Sequence, residues 1–307
     1  MAKVIAVCIS EKKGVAKTPR EEILLVEGHG IEDDAHTGKW HRQVSLLALE
    51  RIEEFRKRGA KVEFGAFGEN IVTEGIDLRK LPVGTRLTIG DALLEVTQIG
   101  KECHDHCAIY YSVGDCIMPR EGIFTKVLKG GSLRPGNEIS VTEPAPDRPF
   151  TAAVITLSDR CYAGEREDKS GPAAAEICQA QGLDVAETVL LPDGNERLEA
   201  QLKRLADQRQ ISVIFTTGGT GFSERDVTPE ATIAVCDRMA PGIAESIRAY
   251  SLTKTVNACL SRAVSGIRGK TLIVNLPGSE KAVRESLEYI MKPLLHGLDI
   301  LRDTGDN

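Results

Sequence analysis

The segment Thr216-Thr-Gly-Gly-Thr-Gly221-Phe-Ser-Glu-Arg-Asp226-Val-Thr-Pro-Glu230 sets three glycines and several hydroxyls ahead of an acid and a proline. Glycines let backbone N–H groups approach an anion closely, and Thr228 followed by Pro229 suits the cap and first turn of a helix whose N-terminus favours phosphate. A tight turn explains a glycine-rich loop equally well, but the coupling to Asp226 and to a helix start points to phosphate chemistry. Two further loops are Leu191-Pro-Asp193-Gly-Asn-Glu196 and Asn275-Leu-Pro-Gly278-Ser-Glu-Lys281. Asp193, with Glu196 three residues later, also fits a helix N-cap. Ser261 in Leu260-Ser-Arg-Ala also reads as a cap, and Arg225 and Lys281 as surface charges. Earlier in the chain the densest cluster is Lys101-Glu-Cys103-His-Asp-His-Cys107, followed by Cys116. Lys101 beside Cys103 favours a thiolate, the form that binds soft metals and carries sulfur. A structural zinc module is the rival reading, although the spacing departs from paired C-x2-C; inert buried thiols are another.

These loops need elements to hold them. After about residue 150 the pattern alternates: Ala153 to Leu157 reads as a strand, Pro172 to Gln179 as a helix, Val185 to Leu191 as a strand and Glu196 to Asp207 as a helix. Ile211 to Phe215 follows as a strand, Pro229 to Met239 as a helix and Thr271 to Asn275 as a strand. A closing helix from about Glu280 carries Val283, Leu287, Ile290, Leu294 and Leu298 on one stripe. Alternating strands and helices demand a parallel sheet covered on both faces, with ligands beyond the carboxyl ends of its strands. Before residue 142 the pattern has period two and is rich in β-branched residues. Leu81-Pro-Val-Gly84-Thr-Arg-Leu-Thr-Ile89 and Leu133-Arg-Pro-Gly136-Asn-Glu-Ile-Ser-Val141 echo one another as turn-plus-strand units, which suggests a β-barrel or sandwich. One helix, Leu46 to Arg58, interrupts it, with Leu46, Leu49, Ile52 and Phe55 on one face. Between the halves, Thr142-Glu-Pro-Ala-Pro-Asp-Arg-Pro-Phe150 resists both helix and central strand.

The chain of 307 residues is long enough for two domains. It has 39 basic and 45 acidic residues, a formal charge of −6. Residues 1–150 hold 21 basic against 23 acidic side chains, and the remainder 18 against 22. Neither half is a basic module, so a nucleic-acid partner is not expected and any anionic ligand must be held by local groups. The 41% hydrophobic content argues against intrinsic disorder. No apolar run reaches bilayer length and the first residues lack a signal-peptide pattern, so a cytoplasmic protein without a membrane partner is expected. Eight cysteines are too dilute for a disulfide framework in so long a chain.

The strings TLSDRCYAGEREDKSGP, TTGGTGFSERDVTPEAT and LSRAVSGIRGKTLIVNLPGSEKAV, in this order, resemble the MoaB/Mog molybdopterin-binding family, which includes molybdopterin adenylyltransferase. The resemblance implies transfer of AMP from ATP to the terminal phosphate of molybdopterin, with Mg²⁺ and release of pyrophosphate. It assigns functional roles to Asp193, Asp226 and Ser261. Two carboxylates suit Mg²⁺ bridged to phosphates, so Asp193 and Asp226 are the expected metal ligands. Thr217, Gly218, Gly219, Thr220 and Gly221 are expected to cradle a phosphate, with Ser158, Asp159, Pro277, Gly278 and Ser261 at the pterin or its phosphate.

GIEDDAHTGKWHRQVSLL, FGENIVTEGIDLRKLPVGTRLTIGDALLEVTQIGKECHDHC and GDCIMPREGIFTKVLKGGSLRPG resemble a MOSC domain, a β-barrel module related to the C-terminal part of molybdenum cofactor sulfurases. That resemblance implies binding of molybdenum cofactor, or sulfur transfer through one cysteine after a Gln-x-x-x-x-Cys pattern. Gln98 to Cys103 matches it, making Cys103 the expected thiolate and molybdenum contact through the cofactor, with Cys107 second and Cys116 a helper. His36, Arg42, Lys101 and Arg120 are the expected anion contacts, with surface ion pairing as the alternative. The sequence shows no match to the pyridoxal-phosphate desulfurase region of the larger sulfurases, so sulfur is expected to come from a partner protein, or the module is expected only to bind cofactor and hand it on; a molybdoenzyme is the other expected partner. The expected architecture is a MOSC-like β-barrel over 1–143, a linker over 144–150 and an α/β three-layer domain with a mostly parallel sheet over 151–307. The second half is expected to form a trimer or higher homo-oligomer. A non-catalytic pterin carrier is the alternative activity.

Overall fold

The computed structural model describes residues 1–59, 61–101, 110 and 116–303. The chain divides into two compact units, Met1–Asp147 and Arg148–Asn307.

The first unit contains β1 (Lys3–Ile9), β2 (Thr18–Arg20), β3 (Ile23–Val26), β4 (Gly30–Ile31), β5 (Val44–Ala48), α1 (Leu49–Lys57), β6 (Ile71–Glu74), β7 (Arg86–Ile89), β8 (Ala92–Ile99), α2 (Met118–Glu121), β9 (Ile123–Lys129), β10 (Gly131–Leu133) and β11 (Ile139–Thr142). Eight of these strands form one mixed sheet in the order β11-β7-β8-β9-β5-β6-β1-β2, and a three-stranded sheet runs β10-β3-β4. The expected barrel is therefore found as a mixed sheet that no continuous ladder closes among the described residues. An isolated bridge, Lys3 to Glu138, joins β1 to the approach to β11, flanked by bonds from the Val4 N–H to Asn137 O and from the Ile139 N–H to Ala2 O, both 2.9 Å. The two echoing segments supply β7 and β11, which pair antiparallel with Ile89 opposite Ile139. Gly84 and Gly136 both adopt φ +93°, the left-handed turn that favours glycine.

The expected helix from Leu46 is corrected at its start. Leu46 lies in β5, buried between β6 (parallel) and β9 (antiparallel), and α1 begins only at Leu49. A strand buried on both faces has a continuous apolar run, and periodicity cannot tell this from the first turn of a helix.

The second unit contains β12 (Thr151–Leu157), α3 (Asp159–Tyr162), α4 (Ser170–Ala180), β13 (Asp184–Leu191), α5 (Asn195–Lys203), β14 (Val213–Thr217), α6 (Thr228–Val235), β15 (Arg238–Met239), α7 (Pro241–Leu252), β16 (Ser265–Arg268), β17 (Thr271–Leu276) and α8 (Glu280–Asp303). The sheet order is β13-β12-β14-β17-β16-β15. β13, β12, β14 and β17 run parallel, and β16 and β15 are added as an antiparallel edge. Ala152 and Val154 pack into one apolar cluster with α4 and α8, while Ala153, Ile155 and Leu157 pack into another with α5 and α6. Each strand thus feeds two cores, as a doubly covered parallel sheet requires. The stripe Val283, Leu287, Ile290, Leu294 and Leu298 is buried against the first of these clusters. The helix expected to reach Met239 ends at Val235, because Arg238–Met239 pairs with β16 instead.

Candidate active site

Strand register decides which loops meet. Leu157 of β12 pairs with Leu191 of β13, Thr156 with Thr217 of β14, and Thr217 with Leu276 of β17. The residues just beyond these strands, Ser158 and Asp159, Asp193, Gly218 to Asp226, and Pro277 with Gly278, therefore leave the sheet along its carboxyl edge. The chain passes from β12 to β13 on one side and then to β14 on the other, so this edge includes the topological switch point where such sheets bind ligands.

Asp159 and Asp193 clasp each other. The Asp159 N–H donates to Asp193 Oδ2 at 3.3 Å, and the Asp193 N–H donates to Asp159 Oδ1 at 3.0 Å. Arg225 Nη1 donates to Asp159 Oδ2 at 3.0 Å. Burial pushes the Asp193 carboxyl above its ordinary value; the charges of Asp159 and Asp226 add to this, while the Asp159 N–H and Arg225 oppose it. The three aspartates thus share one electrostatic environment. The capping alternative for Asp193 is not realised, since the residue before α5 is Gly194 and no side chain caps that helix. Ser158 caps α3, its hydroxyl accepting the Cys161 N–H at 3.3 Å.

The glycine loop is folded by close approach and by two polar staples. At Gly218, φ is +99° and a side chain would collide with the Leu157 carbonyl oxygen; at Gly219, φ is +63° and a side chain would strike Thr228 Oγ1. Thr228 is the first residue of α6 rather than its cap. Its hydroxyl donates to Gly218 O at 2.9 Å and its N–H to Gly219 O at 3.1 Å, tying the loop to the helix. The Thr217 hydroxyl donates to Pro277 O at 2.7 Å, joining the ends of β14 and β17.

Arg262, to which the sequence by itself assigns no role, is the second staple. It donates to Gly221 O at 2.7 Å and also to the Asp226 carbonyl and the Glu230 carboxylate. Its position beside Ser261 in the Leu-Ser-Arg string was the available signal. Nothing in a single sequence tells an arginine that folds inward from one on the surface. Asp226 keeps its own turn closed, with the Ser223 N–H donating to Oδ2 at 2.9 Å.

Beside this loop lies a cavity of about 290 Å³, lined by Thr220, Gly221, Arg248, Asn257, Ser261 and Gly278 among others. Arg248 donates to Ser261 O at 3.0 Å and to Ala263 O at 2.8 Å, which holds the Ser261 segment against the cavity. Gly221 belongs to both regions: it lines the cavity, and a Cβ there would stand 2.9 Å from Asp226 Oδ2. One wall of the cavity thus stands against the Asp226 carboxylate.

In the first unit, Cys103 and Cys107 lie outside the described residues, as do the histidines of the rival zinc reading. Among the described residues no group of three His, Cys, Asp or Glu side chains is placed to hold a metal ion. The Arg42 guanidinium lies 4.8 Å from the Trp40 ring centroid and 5.7 Å from that of Phe124. His41 Nε2 is 2.9 Å from Gln98 Oε1, and the Lys101 N–H donates to Pro119 O at 3.2 Å. Arg120 is exposed on α2. His36 joins this group only through its carbonyl, which accepts the Trp40 indole N–H at 3.1 Å; its own N–H donates to Asp34 Oδ1 at 2.8 Å and its Nδ1 lies 3.3 Å from the same oxygen. Asp34 forms a buried ion pair with Lys17. Burial works to raise the Asp34 pKa, but hydrogen bonds from His36 and Lys17 prevail and hold it well below the usual range.

Next to this pair Glu69 is fully buried. The Gly65 N–H donates to its Oε1 at 2.7 Å, and burial pushes the carboxyl up from its ordinary 4.5 to about 7. The folded chain then holds a proton that the unfolded chain has released, so stability falls as pH climbs from 4.5 to about 7 and levels off above it. Asp34 acts in the opposite sense, only below the ordinary carboxylate range. Glu69→Gln keeps an oxygen for the Gly65 N–H and should flatten that slope, with a gain on the order of 2 kcal/mol at pH 8. Thermal unfolding followed by Trp40, the single tryptophan of the chain, reads the first unit directly. Identical pH slopes in the two proteins would remove Glu69 from this role.

Fold and site together define an α/β ligand-binding domain whose parallel sheet presents a glycine loop, clustered carboxylates and an adjoining cavity at one edge. Residues 153–297 match a family described as "Probable molybdopterin binding domain", and residues 33–140 match the MOSC domain. The chain is 40% identical over 150 residues to the molybdopterin adenylyltransferase of Helicobacter pylori, covering 48% of this chain and 85% of that protein. Against the Escherichia coli (strain K12) molybdopterin adenylyltransferase it is 43% identical over 139 residues, 45% of this chain and 71% of that protein. Against the molybdenum cofactor synthesis protein cinnamon of Drosophila melanogaster it is 40% identical over 158 residues, half of this chain but only 26% of that longer protein. A solved structure of the Thermus thermophilus molybdopterin biosynthesis enzyme MoaB, 43% identical, aligns over 50% of this chain and 96% of its own with a TM-score of 0.48. The chain belongs to the molybdopterin-binding MoaB/Mog family and carries a MOSC domain ahead of the matching region.

Proposed function

We propose that the second unit transfers AMP from ATP to the terminal phosphate of molybdopterin. The observation that carries this reading is the junction at Gly221, where the wall of the cavity beside Ser261 meets the Asp226 carboxylate, whose charge acts together with that of Asp159 on Asp193. A phosphate oxygen of molybdopterin attacks the α-phosphorus of ATP; the bond from that phosphorus to the bridging oxygen of the β-phosphate breaks, and pyrophosphate leaves with the electron pair. A phosphate monoester is already anionic near neutral pH and needs no general base, so the protein contributes positioning and charge neutralisation.

Ser261, Thr220 and Gly278 would line the pterin side, and the N–H groups of Gly218 to Gly221 would meet a phosphate. The carboxylates suit a hard cation, and Mg²⁺ needs only one or two of them beside phosphate oxygens and water, not an all-protein cage. Asp193 and Asp226 would hold it, and its chemistry there is neutralisation of the phosphate charge. Asp159 keeps Asp193 in place through the reciprocal N–H bonds.

The first unit, in this reading, binds molybdenum cofactor or carries sulfur through Cys103, with a sulfur donor or a molybdoenzyme as partner. Functional boundaries of 1–143, 144–150 and 151–307, a cytoplasmic location and a trimeric or higher assembly of the second unit belong to the same proposal. Among the described residues no helix is long and apolar enough to cross a membrane. Incubating the purified chain with ATP, Mg²⁺ and molybdopterin tests the activity: pyrophosphate released in step with adenylylated pterin supports it. Tight pterin binding with no pyrophosphate would instead mark a carrier.

A further inference from the structure

The turn that delivers Asp226 to the site also delivers Arg225. The Asp226 N–H donates to Ser223 O at 2.9 Å and the Val227 N–H to Arg225 O at 3.0 Å. The Arg225 side chain is 74% exposed and reaches Asp159 Oδ2 at 3.0 Å; the Asp159 side chain is itself 40% exposed. The other Asp159 oxygen accepts the Asp193 N–H. One carboxylate thus links an exposed cation to the backbone of a half-buried acid.

The two arginines of this region differ in what would happen if they moved. Arg262 is bonded to two loop carbonyls and to Glu230, so withdrawing it dismantles the loop. Withdrawing Arg225 breaks a solvent-screened ion pair, which shifts an equilibrium by at most about fivefold. A polyphosphate arriving among three aspartates adds like charge and needs a cation. A planar guanidinium matches phosphate oxygens in pairs, and such charge-assisted bonds exceed those to an exposed carboxylate.

We propose that Arg225 exchanges partners, leaving Asp159 Oδ2 for the β- and γ-phosphates of ATP and so holding the pyrophosphate that departs. Asp159 is then the resting acceptor of Arg225 and the positioning residue for Asp193. This deepens the adenylyl-transfer reading and rests on it. As the bond to the α-phosphorus breaks, the charge that develops on the bridging oxygen of the leaving pyrophosphate falls within the group that Arg225 holds.

The test is calorimetric binding of inorganic pyrophosphate to the full chain in Mg²⁺ buffer, together with the KM for ATP. Arg225→Gln should weaken pyrophosphate binding and raise that KM about tenfold, and Arg225→Lys should recover part of the loss. Asp159→Asn keeps an oxygen for the Asp193 N–H but removes the charge that holds Arg225, so it should tighten pyrophosphate binding, by up to about fivefold. Opposite signs from the two halves of one ion pair are the signature of partner exchange. Weaker binding in both variants marks a merely structural pair and overturns the proposal. Normal turnover by the unaltered chain with no effect of Arg225→Gln also overturns it, alone. A chain that binds neither ATP nor pyrophosphate overturns the adenylyl-transfer reading, and this inference with it.

Discussion

Asp226→Asn should lower AMP transfer to molybdopterin by about a thousandfold while leaving pterin binding within about twofold. The substitution is nearly isosteric. The amide side chain would still present an oxygen to the Ser223 N–H, which now donates to Asp226 Oδ2 at 2.9 Å, and the backbone carbonyl at this position would still accept from Arg262. The turn is preserved and only the charge is removed. On the proposed adenylyl-transfer reading that charge is what would hold the cation that neutralises the phosphates, so its loss should appear in kcat for pyrophosphate release. The cavity beside Ser261 and Gly278 is untouched, so pterin affinity, measured separately without ATP, serves as the control. Full activity in Asp226→Asn would remove the carboxylate from the mechanism.

Gly218→Ala should be the most damaging substitution of a small residue in the second unit. The φ of +99° disfavours any side chain, and the added Cβ would meet the Leu157 carbonyl oxygen at the end of the neighbouring strand. Both costs act together, and a loss of about 3 kcal/mol in stability is expected. Activity should vanish as well, because the same loop carries Gly221 to the cavity and Asp226 to the acidic cluster. Gly182→Ala is the matched control: φ there is +83°, but no atom lies within 4 Å of the added Cβ. It should cost only about 1 kcal/mol and leave turnover unchanged. Urea unfolding followed by circular dichroism compares the two. Equal losses would mean that backbone strain, not collision with the neighbouring strand, is what glycine avoids at position 218.

Much of the second unit was legible because its signals are local. The strand over Ala153 to Leu157 and the stripe of α8 follow from spacing alone, and the carboxyl-edge rule then places their loops. The errors came where tertiary partners overrode local pattern. Leu46 fits a helical face with Leu49, Ile52 and Phe55, but β6 and β9 claim it as a strand residue. Asp193 fits an N-cap equally well, but the Asp159 N–H claims its carboxylate. Arg262 and Arg225 look alike in sequence, yet one is bonded to loop carbonyls and the other is exposed on a single ion pair. The cysteine cluster around Cys103 stands as a sequence-based expectation, since it lies outside the described residues.

By itself the sequence determined the two-part organisation, the alternating strands and helices of the second half, and the residue types on which phosphate chemistry depends. Periodicity and glycine placement are written residue by residue, and each acts over a few positions. Tertiary structure alone decided which acids share a charge environment, which arginine holds the loop, and that Gly221 sets the cavity wall against the Asp226 carboxylate. Those relations connect residues such as Asp159 and Arg225, 66 positions apart. Strand register brings such residues together, through pairings that no local stretch of sequence encodes.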